Sequence, residues 1–447
     1  MENTDVLIIG GSASGIVTAV TGKSNYPDKT FMVVRKEKQV VVPCGIPYIF
    51  GSLDGSDKNL IPDAVLENPG IKLKIDEAIS VDLEKKICKT SDGTEIGFDK
   101  LVFATGSDTK VPNWLKGADK ENVFTIPKDK IYLDKALSKL KDCKKIVVVG
   151  GGFIGVEVSD ELNKKNKDVT IVEILPHVLS LAFDKEMAVR AEEILKSRGV
   201  KIKSGVGVKE ILGDNKPTGV LLDNGETLDA DAVILSIGYS PNTNLAKKAG
   251  LELNEKGFIK VGEYMRTENP NIFAVGDCAE KKDFFTRKTS SIMLASTACA
   301  EARIAGMSLY KLSAVKTFGG TIAIFSTAIG DTGFGVAGLT EDMARKEGFD
   351  IVEGSFEGID KHPGTLPGTN KQMIKLVVAK DSGMILGGGV IGGLSAGELT
   401  NILGFVIQNK MTINSLLTAQ IGTHPLVTAP PTAYPLIKAA EVVSKKL

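Results

Sequence analysis

Apolar and polar positions along this chain follow one scheme that occurs twice. An apolar run, Val6 to Ile9, breaks at Gly10-Gly11 and passes into the helix-compatible stretch Ile16 to Thr21, which predicts a strand, a glycine turn and a helix. The scheme returns at Lys145 to Leu162, where Ile146 to Val149 lead into Gly150-Gly151-Gly152-Phe153-Ile154-Gly155 and then a helical pattern. The repetition predicts two βαβ dinucleotide-binding units in one chain. Leu101 to Ser107 reads as the strand and turn that close the first unit, and Ala232 to Asn242 has the same part in the second. After about residue 315 short β-like runs, Thr321 to Phe325 and Met373 to Val378, alternate with helical ones, Thr340 to Glu347 and Leu394 to Gln408. The expected fold is therefore α/β: two Rossmann-like units followed by a C-terminal α+β domain.

Composition narrows the ligands. The 447 residues include 55 basic and 55 acidic ones, for a formal net charge of zero, with neither runs of like charge nor basic stretches interleaved with aromatics. That excludes nucleic acid and a membrane surface as expected partners and leaves small molecules. No apolar stretch reaches about 18 residues, so no membrane span is expected, and Met-Glu-Asn-Thr-Asp has no basic region of a signal peptide. Five cysteines (Cys44, Cys88, Cys143, Cys278, Cys299) lack metal-ligand spacing and suit a reducing cytoplasm. Three histidines (His177, His362, His424) are too dispersed for a metal cage, and no metal is expected.

The second glycine motif carries the clearer chemistry. Gly150 makes the tight turn, Gly152 lets backbone approach a pyrophosphate, and Gly155 permits close packing of helix on sheet, with the anion at the helix N-terminus. Val169 to Glu173 then supplies a second strand ending in an acid about 20 residues on, the partner of a ribose diol. A carboxylate there repels a 2′-phosphate, so NADH is expected in preference to NADPH; His177 beside it reads as a surface-loop residue. The first motif, Gly10-Gly11-Ser12-Ala13-Ser14-Gly15, has serine in place of the middle glycine, and its second strand ends at Arg35-Lys36 with no acid. It is supported by Thr267 to Cys278, an apolar strand ending in Gly276-Asp277, followed by a helix candidate around Leu294 to Ala298. Between the two motifs lies Cys44, in Val-Val-Pro-Cys-Gly-Ile-Pro-Tyr (Val41 to Tyr48), with no second cysteine nearby to resolve a disulfide. A single thiol of this kind cycles through a sulfenate, a persulfide or a mixed disulfide with a small thiol.

The order of these motifs, with Ala-Thr-Gly at 104–106, Gly-Tyr-Ser-Pro-Asn at 238–242 and Ala-Val-Gly-Asp at 274–277, resembles the flavoprotein disulfide reductases with two dinucleotide-binding domains. The lone Cys44 resembles their single-cysteine branch: coenzyme A-disulfide, persulfide and polysulfide reductases, NADH oxidases and NADH peroxidases. The resemblance implies an FAD domain at 1–112 and 245–320, an NAD domain at 113–244 and a dimerisation domain at 321–447. It implies that Gly10, Gly11, Ser12, Ala13, Ser14 and Gly15 hold the FAD pyrophosphate, that Asp277 after Gly276 binds the ribitol, and that Arg35 or Lys36 packs on the adenosine. Pro43, Thr105, Gly106 and Gly238 fall on further cofactor positions. The helix opening with Ala295, Ser296 and Thr297 would direct its positive end at the flavin, where it stabilises an anionic reduced ring. Phe153, followed by Ile154, falls where relatives have a tyrosine that covers the flavin, or is simply a buried phenylalanine behind the turn; Glu157 would approach the flavin and nicotinamide.

The same comparison bears on the acceptor. Peroxidases and water-forming oxidases of this family have a histidine where this chain has Ala13, and coenzyme A-disulfide reductases resemble it in having alanine, which favours a sulfur adduct on Cys44 over a sulfenate. The coenzyme A branch presents tyrosines near an Ala-Pro-Pro segment, whereas Thr428-Ala-Pro-Pro-Thr432 has threonines; Tyr434 is displaced, and Lys23 is the only base on the first helix for a phosphate. His424, in Thr-His-Pro-Leu, resembles the general acid that larger disulfide reductases supply from the partner subunit, with His362 in Lys-His-Pro-Gly a weaker candidate. The expectation is an FAD-containing, NADH-dependent homodimer that reduces persulfides, polysulfides or coenzyme A-linked sulfur through Cys44. Two alternatives stay open: an NADH oxidase forming hydrogen peroxide, and an electron donor to a rubredoxin-type protein.

Overall fold

A computed structural model describes every residue, Met1–Leu447. The first sheet centres on parallel strands in the order Lys72–Ile75, Phe31–Arg35, Glu2–Ile9, Glu95–Phe103, with the distant strand Ile272–Ala274 added beside Glu95–Phe103 and an antiparallel extension through Ile87–Thr90 and Ala78–Asp82. Val6, Leu7 and Ile8 are fully buried, because helices cover both faces of a parallel sheet and its strands lose their polar side. The chain leaves Glu2–Ile9 through Gly10 (φ +111°) into helix α1, Ala13–Asn25. A Cβ on Gly10 would stand 2.1 Å from the Ala104 carbonyl oxygen and one on Gly15 1.9 Å from that of Gly10, so only glycine lets strand, turn and helix pack this closely.

The second sheet repeats the plan, all parallel, in the order Val123–Thr125, Ala232–Leu235, Lys145–Val149, Asp168–Glu173, Lys201–Ser204. Gly150 (φ +103°) turns the chain into helix α2, Phe153–Lys164, and again a Cβ on the last glycine, Gly155, would meet the Gly150 carbonyl at 1.9 Å. The two sheets are linked where Ser107–Thr109 pairs antiparallel with Tyr239–Pro241, which joins the Ala-Thr-Gly and Gly-Tyr-Ser-Pro-Asn motifs; the Asn242 amide donates to the Gly106 carbonyl at 2.9 Å. Helix α3, Ala295–Ser308, then packs along α1 and returns the chain to the first sheet.

The last 120 or so residues form a five-stranded antiparallel sheet, Phe325–Ile329, Thr332–Gly338, Ile385–Gly392, Lys371–Ala379, Ile351–Ile359, backed by helix α4, Ala396–Gln408, and the helix Pro435–Ser444. The β-run expected at Thr321 to Phe325 is corrected: the strand begins at Phe325, because Ala323 takes a positive φ of 61° and breaks extended pairing before it. This sheet is docked on the second one by Lys375, 4% exposed, whose ammonium meets Asp184 at 3.1 Å, Glu186 at 2.9 Å and Glu341 at 2.9 Å.

Candidate active site

Cys44 is the second residue of a 3-10 helix, Pro43–Phe50, anchored by buried Ile46, Pro47, Ile49 and Phe50 and packed on α2. Gly45 is needed there, since a Cβ would come 2.0 Å from Asn59 Oδ1, and Asn59 in turn donates to the Val42 carbonyl at 3.0 Å. The result is an exposed Cys44 on a rigid support. Although the residue as a whole is open to solvent, protein atoms crowd the sulfur enough that burial is the largest influence on it and pushes the thiol pKa up; Glu157 and Cys299 add to the rise and Lys128 opposes it. In the protein alone Cys44 therefore rests as a thiol.

Glu157, one turn into α2, accepts a hydrogen bond from Thr327 Oγ1 of the third sheet at 2.7 Å. Burial pushes its carboxyl up to about 7, against the Thr327 bond, with Glu161 adding to the rise. Glu161, one turn further, is buried and held by the Ser52 amide and hydroxyl and by Lys164. Tyr48, which closes the Cys44 motif, is raised chiefly by burial and stays a neutral phenol. It lines a cleft of about 250 Å³ with Thr327, Gly330, Asp331, Leu394 and Gly397. Phe153 is partly buried: its ring stacks on Phe325 (centroids 5.0 Å, 13°) and meets Phe183 edge-on at 5.7 Å.

The residues expected around the cofactors are distributed as follows. Glu173 is buried and accepts from the Gly151 amide at 2.6 Å and the Leu175 amide at 2.7 Å, so it holds the glycine turn, while a Cβ on Gly152 would meet nothing within 4 Å. Asp277 accepts from Lys128 Nζ at 2.7 Å and Ser107 Oγ at 2.8 Å. Burial raises the Asp277 carboxyl, but the Lys128 charge and these bonds outweigh it and the net pKa is lowered, so it is ionised. Helix α3 opens without a side-chain cap and without an acid in its first turn, leaving Ala295, Ser296 and Thr297 as a free positive end. Arg35 is buried with its stem against Gly11, but its guanidinium donates to the Glu37 carbonyl at 2.8 Å, the Lys38 carbonyl at 3.0 Å and Asp63 at 2.7 Å. Only the stem is left for an adenosine; neighbouring Lys36 is exposed.

An ionised Asp277, an uncapped helix end and a glycine cradle at Gly10 to Gly15 fit FAD, and open backbone at Gly152 above a carboxylate suits a second dinucleotide. Lys128 was not singled out from the sequence. It also donates to Ser107 at 2.9 Å and stands 5.5 Å from the Tyr239 ring centroid, and nothing in Pro127-Lys128-Asp129 signals this role. Cys299, placed in an apolar helical pattern, is half-buried on α3 and is an electrostatic neighbour of Cys44. Cys88 and Cys143, each next to charged residues in the sequence, are both buried, Cys88 on the inward side of its strand and Cys143 against the Lys139 carbonyl at 3.4 Å. Cys278 is fully buried. His424 is exposed and is not among the groups acting on Cys44. Its amide donates to Thr428 Oγ1 at 2.8 Å, and the Thr428 carbonyl lies 3.2 Å from His362 Nδ1, so one threonine joins the two histidine loops.

Comparison with known proteins agrees with this geometry. Residues 4–302 match the pyridine nucleotide-disulphide oxidoreductase family and residues 324–434 match the dimerisation domain of that family. The NADH oxidase of Methanocaldococcus jannaschii is 32% identical over 99% of each chain, and the NAD(P)H coenzyme A polysulfide/persulfide reductase of Pyrococcus horikoshii is 31% identical over 98% of each. Among solved structures, the NAD-dependent persulfide reductase from A. fulgidus superposes with a TM-score of 0.91 at 29% identity, over 99% of this chain and 83% of that one. With its two Rossmann-like units, its glycine cradles and these matches over nearly its whole length, the chain belongs to the pyridine nucleotide-disulphide oxidoreductase family and is an FAD-dependent NAD(P)H oxidoreductase.

Proposed function

We propose that this flavoenzyme uses NADH in preference to NADPH to reduce a sulfur–sulfur bond in a small acceptor: a persulfide, a polysulfide or a coenzyme A-linked disulfide. The observation that carries the reading is an exposed Cys44 on a rigid turn beside Glu157, with Ala13 where peroxide chemistry calls for a histidine. Relatives named as sulfur reductases support it. The residue assignments belong to the same reading: FAD over 1–112 and 245–320, NAD over 113–244, and a homodimer built on 321–447.

FAD, when bound, supplies two-electron transfer between a nicotinamide and a disulfide. The chain's residues do the rest. Glu173 carries the acid that disfavours a 2′-phosphate. Cys44 loses its proton, attacks one sulfur of the acceptor and releases the other as a thiolate, which takes up that proton; two electrons and two further protons then free the bound half as a thiol and regenerate the Cys44 thiol. The sum is NADH, one proton and a disulfide giving NAD⁺ and two thiols. Lys128 favours the Cys44 thiolate, and Glu157, near 7, holds or gives up a proton in the working range. His424 remains the proposed acid from a second copy. Leu394, 98% exposed, and Phe405, 66% exposed, with Ile402 between them, form an apolar face on and before α4 that a second copy would cover.

Coenzyme A disulfide is the less favoured acceptor, since Lys23 spends its ammonium on the Pro27 and Lys29 carbonyls at 2.9 and 2.8 Å. Hydrogen peroxide-forming NADH oxidation is the second reading, favoured by the name of the M. jannaschii relative. No helix is long and apolar enough to cross a membrane, and five free cysteines support a cytoplasmic setting. The test is NADH consumption in one preparation against oxygen, coenzyme A disulfide, coenzyme A persulfide and inorganic polysulfide. Faster turnover with the sulfur acceptors than with oxygen is expected; turnover with oxygen alone overturns the reading.

A further inference from the structure

Beneath Asp277 lies a buried ion pair that the mechanism above does not use. Lys281 is 1% exposed along its side chain and Glu301, on α3, is fully buried. The Lys281 ammonium donates to the carbonyls of Gly276 and Ala279, both at 3.0 Å, while Glu301 Oε2 accepts from the Gly276 amide at 2.7 Å. Both polar groups of Gly276 are thus held, its N–H by the acid and its C=O by the base. Gly276 (φ +77°) is also closely seated: a Cβ there would come 2.7 Å from Ser14 Oγ of α1 and 3.5 Å from the Ala298 Cβ of α3. The second carboxylate oxygen, Glu301 Oε1, is buried, makes no hydrogen bond and stands 3.6 Å from the Lys281 ammonium.

Burying two charges is costly, and apolar residues of similar volume would fill the space at least as well. What apolar residues cannot do is grip an amide and a carbonyl of the same glycine while tying that glycine to α3. We propose that Lys281 and Glu301 are positioning residues of the FAD site, a charge-balanced clamp on Gly276 that fixes the Asp277 carboxylate relative to the N-terminus of α3. The inference rests on the reading that the Gly276–Asp277 turn and α3 face FAD. The other charged groups near Glu301 are Asp277 on the turn and Lys128 beyond it, while α1 offers only the Ser14 hydroxyl.

The clamp makes a signed prediction. Glu301→Gln leaves a positive charge under the cofactor site, whereas Lys281→Met leaves a buried carboxyl without the ammonium that holds its pKa down, so that it takes up a proton and no charge is left. The flavin midpoint potential, measured at pH 8 where the parent's Glu301 (raised to about 7 by burial) is ionised, should rise in the first variant and not in the second. Each single variant should also loosen FAD by roughly tenfold or more, read as flavin lost from the holoenzyme at equilibrium dialysis, because one partner is left buried and unpaired. The double variant Lys281→Met/Glu301→Leu, with no polar partner stranded, should hold FAD more tightly than either and have a potential below that of Glu301→Gln. A rise in both single variants, or no shift in Glu301→Gln, overturns the proposal, since loss of packing alone does not follow the charge that is left. If a single variant fails to fold, the double variant decides: recovery of a folded, FAD-bound enzyme supports the clamp and failure to recover refutes it. Asp277→Asn is the control; if it retains FAD as tightly as the parent, the reading of the turn is wrong and the clamp falls with it.

Discussion

Thr327 Oγ1 donates to Glu157 Oε1 at 2.7 Å, across the junction between the third sheet and the helix that supports Cys44. This bond opposes the burial that pushes Glu157 up to about 7, so it sets where the carboxyl exchanges its proton. Thr327→Val should raise the Glu157 pKa by about one unit, since a hydrogen bond to a charged group contributes roughly 1.5 kcal/mol or more. The pH profile of turnover should move to higher pH accordingly. An unmoved profile would remove Glu157 from the proton path.

Glu157 and Lys128 act on Cys44 with opposite signs. Glu157→Gln removes a negative neighbour and should speed iodoacetamide alkylation of Cys44 at fixed pH, whereas Lys128→Met should slow it, each by a few-fold. Lys128→Met should also weaken FAD, because Asp277 then loses its 2.7 Å partner. The alkylation rate followed from pH 6 to about pH 10 separates the two effects by the position of the curve.

Glu173 holds the second glycine turn through two amide bonds. Glu173→Ala should cost about 1–3 kcal/mol in stability and reduce discrimination against NADPH. The ratio of kcat/KM for NADH and NADPH checks the second claim; an unchanged ratio would show that Glu173 serves the turn alone.

Lys375, buried among Asp184, Glu186 and Glu341, should be costly to remove: Lys375→Met should destabilise by about 3 kcal/mol in urea unfolding. The side-chain bond from Lys375 is the largest reason the Glu341 carboxyl is lowered, to about 2 from the ordinary 4.5. A depressed carboxyl stabilises above its unfolded value, so this contribution is complete above pH 4.5 and is lost as pH falls towards 2. Between those limits the parent should lose stability more steeply than Lys375→Met.

How much of this was legible in the sequence depended on whether a residue's role left a local trace. Gly10, Gly150 and Gly276 did so, because a positive φ or a close backbone approach admits glycine alone, and their order along the chain carried the fold and the cofactors. Lys128 and Asp277, 149 positions apart, and Thr327 and Glu157, 170 apart, meet only through tertiary packing and carried no local trace. The burial of Cys88 is masked by the charged run around it, because in a strand successive side chains face opposite sides and an outward Lys89 says nothing of the residue before it. The strand Ile385–Gly392 was hidden by three successive glycines, which weaken a β signal yet allow the close packing seen there.

The central claim is that Cys44 carries the acceptor sulfur, and its most direct test is anaerobic NADH consumption with a persulfide acceptor by the parent and by Cys44→Ser, at matched FAD content. Loss of turnover by about a hundredfold or more in the serine variant is the predicted result. Turnover equal to the parent would contradict the account.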